Sequence, residues 1–413
     1  MKKLLQTLNI STKISTPKHF NGVYSVTLNS DIGFFSNGKG FDKKSSKNSA
    51  YGEMCERLLT RNYFEDYFLA KIYPDSKIVK NFLTPDLKKF YQIDNLQKED
   101  LIDFSSCSNE ILSIPFISKK DKKKVYFPIN LIQNLYGSNG MAFYDNKKTA
   151  FTNALSEIIE RYVKFQVIKN GLNLPKIKHK FNSKYIQVYD ASLNKYPVMA
   201  VSYIKNNKIL LAFGCDINQQ KAINKAYLEI MQGRDNFKEN MGEICNNLDE
   251  VKDSFNLENH FISNIGLIHK NFLKPNKTKA FEWDFKKYNL DKEIYFRRYK
   301  YKNYYAYHLI IPDFSEVYPI DDLIYNNKNQ GKFYRKFVLE YKNFEKKFLI
   351  NKFEELNPYL DLGSFIGVIF DKQILVDDFL KMLKKDKVQL KFDKSYQKIQ
   401  EIVTKLSIIS KTI

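Results

Sequence analysis

Ser138-Asn-Gly-Met-Ala-Phe-Tyr-Asp-Asn-Lys-Lys-Thr-Ala-Phe-Thr-Asn-Ala-Leu-Ser-Glu-Ile-Ile-Glu-Arg161 is the stretch on which the reading of this chain turns. Asn139-Gly140 is a turn dipeptide. From Thr149 to Phe165 the apolar residues fall at 151, 154, 155, 158, 159, 162 and 163, a helical period. Glu157 and Glu160, three apart, leave that helix on one side, and Arg161 lies one turn beyond Glu157.

The pattern recurs. Ser36-Asn37-Gly38 precedes Glu53-Met-Cys-Glu56-Arg57, with fifteen residues from glycine to first acid against seventeen from Gly140 to Glu157. Alanine stands three before the first acid in both, at Ala50 and Ala154. A third, weaker copy reads Ala226-Tyr-Leu-Glu229-Ile-Met-Gln232, followed by Gly233-Arg234. Three helices thus offer matching polar faces. A single Glu with Arg at i+4 is a common surface pair worth only about 0.3 kcal/mol. Recurrence behind Ser-Asn-Gly is hard to ascribe to solubility.

The 413 residues and 43% apolar content suffice for a large folded interior. No apolar run reaches membrane-spanning length, and the N-terminus lacks a secretory pattern. Cysteines 55, 107, 215 and 245 show no Cys-x-x-Cys spacing, so reduced thiols in cytoplasm are expected rather than a zinc site or a disulfide framework. The five histidines are scattered; His260 is expected to be structural.

A formal charge of +21 raises the question of nucleic acid. Sixty lysines against seven arginines, with abundant Asn, Ile, Phe and Tyr, indicate a global compositional bias instead. The lysines are spread, and no groove-reading motif is present, which argues against a nucleic-acid site. Where Lys is the default cation, a retained Arg points to a need for its planar fork. Three of the seven, Arg57, Arg161 and Arg234, fall in the repeats.

Strands are expected within 20–35, leading into the first glycine turn, and then at 125–132, 189–193, 196–203, 209–214 and 294–311; helices at 46–72, 149–165, 219–237, 332–355 and 373–385. Residues 76–125, polar and Lys-rich, read as a surface insertion. Interleaved strands and helices give a mixed α/β (α+β) fold of repeated strand-turn-helix units. Residues 1–345 form the main domain and 346–413 a small helical extension. Carboxylates converging from different helices suit Mg2+, which takes oxygen ligands and bridges to phosphates. Arg and the amides at glycine turns before helices would take phosphate oxygens.

Ser36-Asn-Gly-Lys-Gly40 with Ser49-Ala-Tyr-Gly-Glu-Met-Cys-Glu-Arg57, Asn134-Leu-Tyr-Gly-Ser-Asn-Gly-Met141 with Leu155-Ser-Glu-Ile-Ile-Glu-Arg-Tyr-Val-Lys164, and Glu229-Ile-Met-Gln-Gly-Arg234 resemble the three signature blocks of the YcaO family. Tyr189-Asp-Ala-Ser-Leu193, Asn259-His-Phe-Ile262 and Ile311-Pro-Asp-Phe-Ser-Glu-Val-Tyr-Pro319 are similar to its founding branch, and the resemblance covers roughly residues 20–345.

The resemblance implies ATP and Mg2+ as cofactors and activation of a peptide or protein backbone amide by phosphorylation of its oxygen. In the founding branch it implies an accessory role in ribosomal-protein methylthiolation, a radical-SAM partner and a homodimer. It places Glu53, Glu157, Glu160 and Glu229 at magnesium positions and Arg161 at a phosphate contact. Ser138, Asn139, Gly140, Lys225, Gln232 and Arg234 match the ATP/phosphate side, with Glu56 and Arg57 in support.

Departures accompany it. Ala142-Phe143-Tyr144-Asp145 replaces a small hydroxyl residue and Gly, and Lys225 stands for Arg. A nucleotide-binding N-terminal segment, a full helical-repeat appendix and a proline-rich C-terminus are all expected to be missing, the last weighing against an azoline cyclodehydratase. The alternative expectation is a non-catalytic accessory protein with a degenerate nucleotide site.

Overall fold

The computed structural model describes residues 1–64, 73, 75–79, 111–232, 241–276, 278–288, 290–317, 330–368 and 370–412. Arg234 and the expected helical residues 65–72 and 233–237 lie outside the described residues. The first elements are α1 (Lys2–Thr7), β1 (Thr12–Ile14), β2 (Lys18–Phe20), β3 (Val23–Ser30), β4 (Phe35–Gly40), α2 (Lys43–Leu59), β5 (Lys77–Val79), β6 (Ile111–Ser118), β7 (Lys124–Pro128), β8 (Met141–Tyr144) and α3 (Lys147–Lys169). Next come β9 (Lys176–Ile177), β10 (Ile186–Asp190), β11 (Val198–Lys205), β12 (Lys208–Cys215), α4 (Gln219–Met231), β13 (Gly242–Cys245), α5 (Leu248–Lys252), α6 (Ser254–Ser263) and β14 (Leu267–His269). The chain closes with β15 (Tyr295–Tyr301), β16 (Tyr304–Ile310), α7 (Gln330–Leu339), α8 (Lys346–Glu354), α9 (Leu362–Ile366), α10 (Val376–Lys384), α11 (Lys394–Ile409) and β17 (Lys411–Thr412). The fold is mixed α/β, as expected.

Three strand–helix junctions build the repeat. Each helix is capped by an Asx side chain that satisfies otherwise unpaired first-turn amides. Asp42 accepts from Lys44 N and Ser45 N, Asn146 from Thr149 N, and Asn218 from Lys221 N. Their common anchor is a small residue on the strand rather than a glycine turn. Gly38, Ala142 and Gly214 each precede an alanine by twelve residues, at 50, 154 and 226, and that alanine precedes Glu53, Glu157 and Glu229 by three. A Cβ on Gly38 would meet Ser46 O at 2.0 Å, and one on Gly214 would meet Ala222 O at 2.1 Å. Bare backbone at Gly38 and Gly214, and the small Ala142 in the third copy, let each helix lie close on its strand.

The structure departs from the sequence expectation in two places. Ser36-Asn37-Gly38 is not a turn but the middle of β4, paired antiparallel with β3 from Asn29↔Phe35 to Tyr24↔Gly40. Within the expected surface insertion, β6 is a core strand, with Ile114 and Phe116 buried and neighbours β5, β7 and β15. The run of lysines from Lys119 to Lys124 is the hairpin that follows it, its polar side chains in water while the strand is not.

Three sheets result. In the four-stranded one, β4 runs along one edge of β3, and β1 and β2 share the other. The six-stranded sheet runs β14-β13-β12-β11-β10-β9, antiparallel except for β13 with β14. The seven-stranded sheet runs β5-β6-β15-β16-β8, with β7 on β6 and β17 on β15. Helix α3 packs against β8, β12 and β16, so it lies between the two larger sheets. The C-terminal helices share one apolar core with α1, α2 and the seven-stranded sheet through Leu4, Met54, Phe353, Phe379 and Leu406. Among the described residues no helix is long and apolar enough to cross a membrane.

Candidate functional site

Because the three helices are set on their strands in one register, their acids converge. A cavity of about 860 Å³ is lined by Glu53 and Glu56 from α2, Glu157 and Glu160 from α3, and Glu229 from the end of α4. Lys39, Arg57, Arg161 and Lys225 line it too, with Ser138 and Gln232. Asn139 and Gly140 do not. Asn139 is buried and donates Nδ2 to Ser315 O at 2.8 Å, while Gly140, at φ +76°, leaves room for Leu309 O. Both hold the turn against β16 and the loop after it.

Glu53 is held on both oxygens. The backbone amide of Asn37 donates to Oε2 at 3.0 Å, and Arg57 Nη2 lies 2.7 Å from Oε1. Asn37 is fixed in turn by Thr27 Oγ1, which donates to its Oδ1 at 3.0 Å. Glu229 is likewise gripped twice: Lys39 Nζ pairs with Oε2, and Asn264 Nδ2 donates to Oε1 at 3.1 Å. Asn264 ends α6 in the left-handed region at φ +57°, and its Oδ1 accepts from Lys164 Nζ. Lys164 is 1% exposed and also donates to His260 O. Arg161 lies over the Phe261 ring, its carbon 4.9 Å from the centroid.

Charge crowding in a poorly solvated space moves these groups from their ordinary values. Burial pushes the Glu157 carboxyl up to about 7, with Glu160 and Glu53 adding to the rise and Arg161 and Arg57 opposing it. Glu56 is raised well above the carboxylate range by burial, then by Glu157 and Glu53. Burial pulls Lys39 down to about 8, against the attraction of Glu160, Glu53 and Glu157. Burial and the neighbouring Arg161 hold Lys164 well below the usual lysine value. His260 is buried and pushed down to about 3, which makes it a neutral structural imidazole accepting no charge.

The set is all-oxygen, without a thiolate or imidazole among the converging groups, and two of its acids resist ionisation; a divalent hard cation relieves both conditions. Among the described residues no three His, Cys, Asp or Glu side chains stand close enough to cage a metal unaided. Mg2+ keeps water and completes its shell on a polyanion, so such a metal needs no all-protein cage. Lys225 is engaged, its Nζ donating to Cys215 O at 2.8 Å and lying 3.4 Å from Asp216 Oδ2. At the rim Phe35, Tyr144 and Ile262 are 56%, 41% and 65% exposed. Tyr144 thus stands at the mouth.

The sequence repeats mark out the acids but assign no role to Lys39, Asn264 or Lys164. Lys39 was findable: with 35–40 taken as a strand, 36, 38 and 40 face α2 while 35, 37 and 39 face the cavity.

A family model described as YcaO cyclodehydratase, ATP- and Mg2+-binding, matches residues 37–314. An uncharacterised protein of Haemophilus influenzae is 32% identical over 401 residues, 82% of this chain and 68% of that one. The Ribosomal protein S12 methylthiotransferase accessory factor YcaO of Escherichia coli is 31% identical over 383 residues, 78% of this chain and 65% of its own length. The chain therefore spans about two thirds of these relatives. The structure of YcaO from Methanopyrus kandleri bound with AMPPCP and Mg2+ aligns with a TM-score of 0.45 at 12% identity, covering 76% of this chain and 88% of that one. That likeness is too loose to bear on the assignment, which rests on sequence.

Proposed function

The chain belongs to the YcaO family, and from that premise we propose that it binds ATP with Mg2+ and activates a peptide or protein backbone amide by phosphorylating the amide oxygen. Its place would be as an accessory factor in ribosomal-protein methylthiolation, as a cytoplasmic homodimer beside a radical-SAM enzyme. The observation that carries the reading is the convergence of Glu53, Glu157, Glu160 and Glu229, from three helices, on one cavity that also holds Arg161.

The residues divide the work by chemistry. Acids from this set, with water and phosphate oxygens completing the shell, would hold Mg2+, which when bound neutralises phosphate charge as the group is transferred. Arg161 presents a planar cation to phosphate oxygens, its guanidinium steadied on Phe261. Ser138 and Gln232 offer neutral hydrogen bonds within the same cavity. Arg57 and Asn37 N fix Glu53, so its orientation needs no ordering when ligand arrives. The exposed Phe35, Tyr144 and Ile262 give the mouth an apolar rim suited to a base or to peptide side chains.

Calorimetry with ATP and Mg2+ tests this. The wild type gives a saturable heat, which Glu157→Gln abolishes; silence from the wild type, or unchanged heat in the variant, removes the proposal. One observation favours a second reading, a non-catalytic accessory protein: Lys225 is committed to Cys215 O and Asp216 rather than free to meet phosphate. On that reading the protein captures its partner in a pull-down but releases no phosphate with any peptide.

A further inference from the structure

Among the described residues Lys39 is the one cation of the cavity carried by a strand rather than a helix. Its position is dictated from behind. Gly38 and Gly40 sit against α2, where a Cβ would meet Ser46 O at 2.0 Å and Ser45 Oγ at 2.1 Å. With the even residues pressed on the helix, the strand's alternation sends Lys39 to the cavity side. There its ammonium pairs with Glu229 and lies in electrostatic reach of Glu160, Glu53 and Glu157. One ammonium thus contacts one of the acids assigned above to Mg2+ and is held in the field of the other three.

Glu229, on which it sits, and neighbouring Glu53 have other partners as well. Asn264 keeps Glu229 oriented through the opposite oxygen, and Arg57 and Asn37 N keep Glu53. Withdrawal of Lys39 would therefore leave a formed, negatively charged cluster rather than a collapsed one. A lysine suits withdrawal, being a point charge on a flexible stem, whereas an Arg fork would lock onto a carboxylate.

We propose that Lys39 is a resident counter-cation that competes with free Mg2+ for the acid cluster and yields only when metal and nucleotide arrive together, its ammonium then turning to the phosphate oxygens. The inference rests on the proposed function and adds a property to it. Free Mg2+ binds weakly, and metal and nucleotide strengthen each other's binding by the same factor, since such coupling is reciprocal. A site so guarded stays closed to a cation that is always present.

The test is calorimetric titration of MgCl2 into nucleotide-free wild type, Lys39→Gln and Lys39→Arg, repeated with a saturating non-hydrolysable ATP analogue. Lys39→Gln is expected to bind free Mg2+ on the order of tenfold more tightly than wild type, because a unit charge within contact distance of the site is gone. Its gain in metal affinity on adding nucleotide shrinks correspondingly. Lys39→Arg, still charged, binds free Mg2+ no more tightly than wild type. Lys39→Gln binding free Mg2+ no better than wild type while still taking the metal–nucleotide pair overturns the inference, as does equal tightening in Lys39→Arg. Failure of the underlying reading looks different: no protein takes Mg2+ with or without nucleotide. Should Lys39→Gln need metal to fold, a midpoint of thermal unfolding that climbs with MgCl2 more steeply than in wild type supports the idea. A Lys39→Gln chain unfolded even in saturating Mg2+ contradicts it, since charge alone would not then be at issue.

Discussion

Asn264 donates Nδ2 to Glu229 Oε1 at 3.1 Å while its Oδ1 accepts from the buried Lys164 Nζ. Turning the amide over would set its NH2 against the Lys164 Nζ that donates to Oδ1, so Lys164 fixes which end faces the acid. Asn264→Gly separates this from the backbone, because glycine accepts the left-handed φ of +57° without strain. The variant should fold and lose about tenfold in Mg–ATP affinity, the scale of one hydrogen bond to a charged group. Unchanged affinity by calorimetry would mean that Glu229 needs no orientation or no metal.

The pH dependence of stability follows from Glu157. Its carboxyl is raised from 4.5 to about 7, burial being the chief cause. The folded chain thus holds a proton that the unfolded chain has shed, and the stability this contributes is full below pH 4.5 and lost as pH rises to about 7. Glu56, displaced in the same sense, adds to the trend. Urea unfolding without Mg2+ between pH 5 and 7 should show wild-type stability falling relative to Glu157→Gln by about 1 kcal/mol per pH unit. Parallel profiles would contradict the crowding of acids. Excess Mg2+ should flatten the wild-type slope.

Two glycines give opposite signs. Gly214→Ala drives a Cβ to 2.1 Å from Ala222 O and must lift α4, with Glu229, off β12. The expected loss is about 2 to 3 kcal/mol of stability. Gly52, inside α2, has nothing within 4 Å of the Cβ position, so Gly52→Ala should stabilise by about 0.5 to 1 kcal/mol. Denaturation midpoints decide both, and a stabilising Gly214→Ala would refute the anchoring role given to the strand glycines.

How far the sequence carried follows from which signals are local. Apolar spacing within one helix is local, and α3 lies where it was expected, extended at both ends to Lys147 and Lys169. The acids' recurrence is local too, and all four line one cavity. The strand β4 is hidden in the sequence because Asn37-Gly38 carries the chemistry of a turn, whereas the glycine is there for the helix behind it. Strand β6 was hidden by the lysines of its own hairpin. Lys164 and Asn264, a hundred residues apart, meet only after α6 docks beside α3, and no spacing rule anticipates that.

The central claim is that acids from α2, α3 and α4 share one divalent cation beneath a nucleotide. The most direct measurement is an anomalous difference map from crystals soaked with Mn2+ and a non-hydrolysable ATP analogue. The account predicts a single strong peak within about 2.0 to 2.4 Å of oxygens from at least two of Glu53, Glu157, Glu160 and Glu229, with phosphate oxygens completing the shell. Nucleotide bound elsewhere, or a manganese peak away from all four carboxylates, would contradict it.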